Sequence, residues 1–319
     1  MADIVFAFDP AIDRPVPAPD GAPQPIVEAI AAAPLESLRI AAATARDSRA
    51  AALVLFGRVL DPHRASPAQA AALRAIIVDL SAAGCHTVWV TDDAAPCDDI
   101  ARMVGEPRGL LFATPLAPAQ LDIRGLPVEI VCGRGEALAL PAALPSGLAD
   151  GPIAHRVIVT WDTALWTAER WDDAAAEPTR PPAGWLQPGC HCVWGSRRPT
   201  AVAPGLRHVP PLQPRSAHET TAGGCSVLSL VGFVDDGGHD DPSAGTGRWR
   251  SVATQRVGWN TLTVESSAGG DEELAATIWS ALESLPVGPH SPLQIIHCSV
   301  ECGTSVARRV RVGIGRAHV

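Results

Sequence analysis

The first half of the chain alternates short apolar runs with longer stretches whose apolar residues recur every three or four positions. Ile4 to Phe8 is a short apolar strand, followed by a Pro-rich loop through Pro25. From Ile26 to about Arg49 the spacing is helical and Ala-rich, with a break expected near Pro34. Ala52 to Phe56 carries no charge, the pattern of a buried strand. Ser66 and Pro67 open a further helix as cap and first-turn proline; it runs to about Ala83, and Gly84 ends it. Thr87 to Val90 is the next strand. This βαβα rhythm predicts a sheet covered by helices on both faces.

Past about residue 105 the helical spacing thins. Strands are expected at Val128–Cys132, Arg156–Thr160, Cys190–Trp194, Leu206–Val209, Gly224–Phe233 and Trp249–Val257. Asp235 to Gly247, rich in Gly and Asp, predicts an exposed hairpin loop. Asp271 to Leu285 is an acid-capped helix, and Leu293–Val300 and Val306–Ile314 are two more strands. The pattern divides the chain into a main α/β domain over 1–265 and a small α/β appendage over 266–319.

Composition narrows the function classes. The net charge of -9 over 319 residues argues against a broad nucleic-acid-binding surface, which needs clustered positive charge. The densest basic positions are Arg197 with Arg198, and Arg308, Arg309 and Arg311. The chain has no Lys and no Tyr, a bias that reads as codon usage in a GC-rich genome. No apolar run reaches the roughly 18–20 residues that span a bilayer, and no basic segment leads into an apolar one at the start. A cytoplasmic protein without membrane contact is expected. The eight cysteines are then reduced thiols. Cys190, His191 and Cys192, and His297 with Cys298 and Cys302, lack the two-residue gap of structural zinc sites, so buried strand thiols are the expectation. Trp161, Trp166, Trp171 and Trp185 read as core or interface packing. Ser216, His218 and Glu219 are too close in sequence to form a catalytic triad, whose members converge from separate elements.

The strand ends carry the chemistry. Phe8–Asp9, then Phe56, Gly57, Arg58, Val59, Leu60 and Asp61, then Thr91, Asp92 and Asp93, then Val157 to Asp162 follow one another in order. A late segment keeps Gln213, Arg215, Ser216, Glu219, Gly224 and Cys225. Together these resemble the calcineurin-like metallophosphoesterases, and within them the SbcD/YhaO-like DNA-repair exonuclease family. The late segment is similar to the one that follows that family's last metal-binding loop, and the resemblance spans roughly residues 3–260. It implies a four-layer α/β/β/α sandwich with a truncated C-terminal cap.

It also implies a pocket for two Mn- or Mg-type ions about 3.5–4 Å apart. At that pocket the chain departs from the pattern. Asp9 remains of an Asp-x-His loop, but Ala11 stands at the His. Arg58 stands where a bridging Asp belongs, between Gly57 and Asp61. The stretch from Thr91 to Pro96, with Asp92 and Asp93, has neither the Asn nor the His of the third loop. Trp161 stands for the fourth-loop His, and Ser196 and Arg198 for the two histidines of the fifth. One carboxylate cannot hold two divalent ions, and a permanent guanidinium charge repels them. An Arg58–Asp9 ion pair in the relict pocket is expected instead.

The leading reading is therefore a catalytically degenerate member of the family, a pseudoenzyme without cofactor that serves as a scaffold or partner-docking subunit. The resemblance implies a coiled-coil ATPase subunit as partner and a homodimer as assembly, and leaves DNA binding open. Two further readings stay open. One is an active phosphoesterase or nuclease using His63, His86, His155, His191 or His208; the other is an anion-binding module built on Arg58, Arg197 and Arg198.

Overall fold

The computed structural model describes residues 2–93, 96–133, 155–161, 189–197, 206–216, 219, 222–230, 247–266, 271–285 and 292–302. They form a mixed α/β chain. Four parallel strands, β1 (Ala2–Phe8), β2 (Ala52–Phe56), β3 (His86–Val90) and β4 (Leu110–Ala113), lie side by side. Two antiparallel strands, β10 (Gly224–Leu230) and β11 (Arg248–Ala253), extend them on the β1 side to give six, in the order β11-β10-β1-β2-β3-β4. A second, five-stranded sheet runs β5-β6-β7-β8-β9 over Ala119–Ile123, Leu126–Cys132, His155–Trp161, Cys190–Gly195 and Leu206–Val209. Only its first pair is antiparallel. The third sheet pairs β12 (Val257–Ser266) with β13 (Leu293–Cys302) in parallel, joined through helix α4 (Asp271–Glu283).

Alternation along the central strands sets what each face touches. Ile4, Phe6 and Phe8 share one buried cluster with Val54, Phe56, Ile130, Val157, Val159 and Val193, so residues of both large sheets meet in it. Val5, Ala7, Leu53 and Leu55 point the other way, into a cluster with Leu38, Ala41, Leu73, Ile77 and Val104 of helices α1 (Gln24–Asp47), α2 (Pro67–Ala82) and α3 (Cys97–Val104). Helices on both faces of the first sheet were expected; among the described residues, the face away from α1–α3 is taken by the second sheet.

Local chemistry explains the boundaries. The Ser66 hydroxyl accepts the Gln69 N–H at 3.2 Å while Gln69 Oε1 accepts the Ser66 N–H at 2.8 Å, a capping box with Pro67 in the first turn. The expected break at Pro34 does not occur. α1 runs through it because Ile30, Ala33, Pro34, Ser37, Leu38, Ala41 and Ala45 form one buried stripe, and that packing outweighs the single backbone hydrogen bond a proline removes. The strand expected over Trp249–Val257 is two strands, broken where Thr254 and Gln255 turn to bond other segments. α3, β4 and β5 are too short to stand out in the pattern. β5 and β6 form a hairpin whose turn holds Arg124 and Gly125 at φ +56° and +82°. The expected strand Val306–Ile314, most of the Asp235–Gly247 loop, Trp166, Trp171, Trp185 and Arg308 to Arg311 lie outside the described residues. Among those described, no helix is long and apolar enough to cross a membrane.

Candidate functional site at the strand ends

Because Phe8 lies beside Phe56 in parallel register, the segments leaving β1 and β2 emerge together. They stay bonded beyond the strands: Asp9 N–H donates to the Phe56 carbonyl at 2.9 Å, Ala11 N–H to that of Arg58 at 2.9 Å, and Ile12 N–H to that of Val59 at 3.1 Å. These bonds hold Asp9 and Ala11 at φ +50° and +41°, a left-handed conformation that costs a non-glycine residue roughly 1–2 kcal/mol. Glycine is required just across from them. A Cβ at Gly57 would lie 2.6 Å from Phe8 Cε2, and one at Gly195 would lie 2.3 Å from Phe8 Cδ2. The two glycines let β2 and β8 close on the Phe8–Phe56 ring pair, with Trp161 against Phe56 at 6.3 Å.

Asp9 is buried at 1% exposure, and its counter-charge comes from the other sheet. Arg197, just beyond β8, donates from Nε to Asp9 Oδ2 at 2.6 Å and from Nη2 to the same oxygen. Its Nη1 lies 3.7 Å from Glu219 Oε1. Glu219 Oε2 accepts the Arg215 backbone N–H at 3.2 Å. The Arg215 side chain then turns back to the loop after β1 and donates to the carbonyls of Arg14, Pro10 and Ala11, the last at 2.7 Å. Two arginines and two carboxylates thus lock the ends of β1 and β8 to the segment before β10.

The electrostatics follow from burial. Desolvation pushes the Asp9 carboxyl up, against the pull of Arg197, Arg215 and Arg14. Burial also works against the Arg197 charge, and Asp9 and Glu219 more than offset it. A guanidinium keeps its proton at any ordinary pH, so Arg197 holds a permanent positive charge against the Asp9 carboxyl. Glu219 differs: burial lifts it to about 7, with Arg197 pulling down and Asp9 pushing further up.

The sequence-predicted residues divide among several surroundings. Asp9, Glu219 and Arg215 meet in this network, with Ala11 backbone in it. Arg58 was expected on Asp9, but Arg197 donates the hydrogen bonds there, because the end of β8 delivers its side chain to that carboxylate. Asp61 accepts the His63 N–H at 3.0 Å and neighbours the buried Asp13. Asp92 is half-buried and Asp93 exposed beyond β3, and Ser196 is buried with its carbonyl 3.1 Å from His208 Nε2. Arg198 and His218 lie outside the described residues. Gln213 is fully buried and ties the loop to the start of β12: its amide donates to the Pro214 and Val257 carbonyls at 2.7 and 2.9 Å and accepts the N–H groups of Arg256 and Val257 at 2.8 and 3.1 Å. Ser216 has a buried hydroxyl, and Gly224 and Cys225 start β10 in the core, where burial holds the Cys225 thiol at about 11. Asp13 and Arg14 are absent from the candidate residues, and Arg197 enters them only as part of an anion-binding module; its legible signal is its place two residues beyond β8.

The histidines do not converge here. His63 and His86 are exposed. His155 and His191 pair with each other at 3.3 Å, at the opposite end of β7 and β8 from Arg197. Among the described residues no three His, Cys, Asp or Glu side chains cluster as a metal site would require. Cys85, Cys97, Cys132, Cys190, Cys192, Cys225 and Cys298 are unbridged, and burial pushes Cys192 up to about 12. The donor set at the strand ends does not fit two divalent ions, because the one carboxylate retained from the expected ligands already carries a guanidinium. No family model matches the chain, and no curated protein matches it.

Proposed function

We propose that the chain is a catalytically degenerate, SbcD/YhaO-like metallophosphoesterase homologue, a pseudoenzyme that acts as a scaffold or partner-docking subunit. Its architecture is then a four-layer α/β/β/α sandwich with a small cap-like appendage, and its partner by resemblance is a coiled-coil ATPase subunit. The observation that carries the reading is the Arg197 guanidinium seated on buried Asp9. A fixed positive charge stands where the resemblance sets a divalent cation. It supplies the same service to the strand ends, neutralising the carboxylate, without a Lewis-acidic centre or an activated water. Because Asp9 and Glu219 both face Arg197, the guanidinium has little charge to spare, which supports a scaffold over an anion-binding module at this point.

The test is metal content by mass spectrometry after soaking in manganese, measured beside hydrolysis of a chromogenic phosphodiester. The expected result is neither stoichiometric metal nor turnover. About two equivalents of metal with turnover would overturn the reading and restore a nuclease.

A further inference from the structure

A second cation, Arg207, has no such compensation among the described residues. Arg207 lies on β9, the edge of the five-stranded sheet, and reaches across to β11, the edge of the six-stranded one. Its Nη2 donates to Ser251 Oγ at 2.7 Å, and its Cζ stands 5.7 Å from the centroid of the Trp249 ring. Trp249 in turn packs on Phe6 at 5.5 Å. Ser226 sits directly across from Ser251 in the β10–β11 register, is 1% exposed, and has a hydroxyl with no hydrogen-bond partner. Arg207 Nε is also buried without a partner. Among the described residues no carboxylate pairs with this guanidinium, and burial alone pulls its pKa down. The contrast with its peers is sharp: Arg197 has two carboxylates, Arg156 has Glu129 at 2.7 Å, and Arg215 has three carbonyls.

We propose that Arg207, Ser226 and Ser251 form a binding site for a tetrahedral oxyanion of the phosphate class at the edge where β9 faces β11. The chemistry asks for such a ligand. A guanidinium presents a planar fork of donors matched to an oxyanion's paired oxygens, and each serine hydroxyl adds one donor. The Trp249 face holds the guanidinium by cation–π attraction and leaves its charge available. Ser251 is exposed, so the rim is open to solvent, while Ser226 forms the floor. A cation here favours an anion over water, and the two unused donors, Nε and the Ser226 hydroxyl, have in that ligand the acceptors they lack.

Thermal melts of the full chain in inorganic phosphate, against chloride at matched ionic strength, test this site. Wild type is expected to gain a saturable rise in Tm. Arg207→Gln is expected to weaken phosphate binding by at least about tenfold, the worth of a charge-assisted pair. Arg207→Lys, which keeps the charge but loses the fork, is expected to fall between, and it carries the test if the Gln variant does not fold. Ser226→Ala should weaken binding in the same direction, and Arg46→Gln, at an exposed arginine of α1, should leave the affinity unchanged. A repeat with glycerol phosphate separates sources: an equal rise means the phosphoryl group of an ester is read, a rise with inorganic phosphate alone means the free ion. No rise in wild type, or an affinity unaltered in Arg207→Gln, would overturn the site and leave Arg207 as a cover over Trp249. An equal loss of binding in Arg46→Gln would also overturn it, by showing that phosphate answers to general surface charge. None of these outcomes bears on metal content or hydrolysis, so this proposal and the pseudoenzyme reading fail separately.

Discussion

β7 and β8 bury polar chemistry at both of their ends, and the two ends solve the same problem in opposite ways. At the carboxyl end, Arg197 brings a permanent charge to Asp9 and Glu219 and pulls both carboxyls back toward the ionised form against burial. At the amino end, His155 and His191 stack at 5.4 Å and share one hydrogen bond, and burial drives both imidazoles toward the neutral form, His191 to about 4. Desolvation disfavours any charge. A carboxylate facing a guanidinium can keep its charge, whereas an imidazole facing another imidazole can only discard it. The difference lies in the partner, not in the depth of burial.

The largest expected effect comes from breaking the charged end. Arg197→Gln leaves Asp9 at 1% exposure without its counter-charge, and removal of one member of a buried pair costs about 3–5 kcal/mol. Urea unfolding should show that loss; a loss below about 1 kcal/mol would mean that Asp9 is neutral or paired elsewhere. Arg58→Gln should cost less, since the hydrogen bonds to Asp9 come from Arg197.

The next effect separates the ends by pH. Glu219 is raised to about 7 from its ordinary value of 4.5, so between those values the folded state binds more protons than the unfolded one. Stability therefore declines as pH rises through that window, by about 3 kcal/mol, and then levels. His191 runs the other way. Lowered to about 4 from 6.5, it binds fewer protons when folded, so its contribution is full above 6.5 and is lost as pH falls toward 4. In wild type the two slopes oppose each other between about pH 4.5 and 6.5. Difference curves should resolve them: Glu219→Gln removes the declining slope and His191→Gln the rising one. Slopes of the same sign in both variants would sink the contrast.

Smaller effects bracket the comparison. Gly195→Ala drives a methyl against Phe8 at the charged end, and is expected to cost about 1–3 kcal/mol, seen as a lower Tm. Ser66→Ala removes the α2 capping box, whose Gln69 amide donates to the Ile12 carbonyl at 2.9 Å but touches neither Asp9, Glu219 nor the histidine pair. It should cost about 1 kcal/mol and leave both pH slopes untouched.

How much of this was legible beforehand depends on the distance over which each feature is decided. Ala52–Phe56 and the Ser66 cap are decided within a few residues, and both stood out in the pattern. Asp9 and the Gln213–Cys225 segment were legible because their spacing along the chain carried the resemblance. The choice of Arg197 over Arg58 was not. Both follow a strand directly, and only the seating of the second sheet against the first decides which guanidinium meets Asp9. The histidine pair was hidden for a similar reason: His155 and His191 become neighbours through the β7–β8 register, which no local signal fixes. Pro34 misled because a proline announces a break locally, while the packing of α1 on β1 and β2 acts over the whole helix.

Gln213 joins regions that the chain order keeps apart. Its amide bonds the first residues of β12 and reaches toward Ser37 of α1 at 3.4 Å, while Val257, Trp259, Leu293 and Ile295 pack on Val16, Ile30 and Ala33. A cut before Val257 would strip that amide of its partners and open an apolar seam on α1. The β12–β13 pair therefore behaves as a keystone for the loop that carries Arg215 and Glu219. The carboxyl-terminal sheet and the charged strand ends should gain and lose order together, as one cooperative unit.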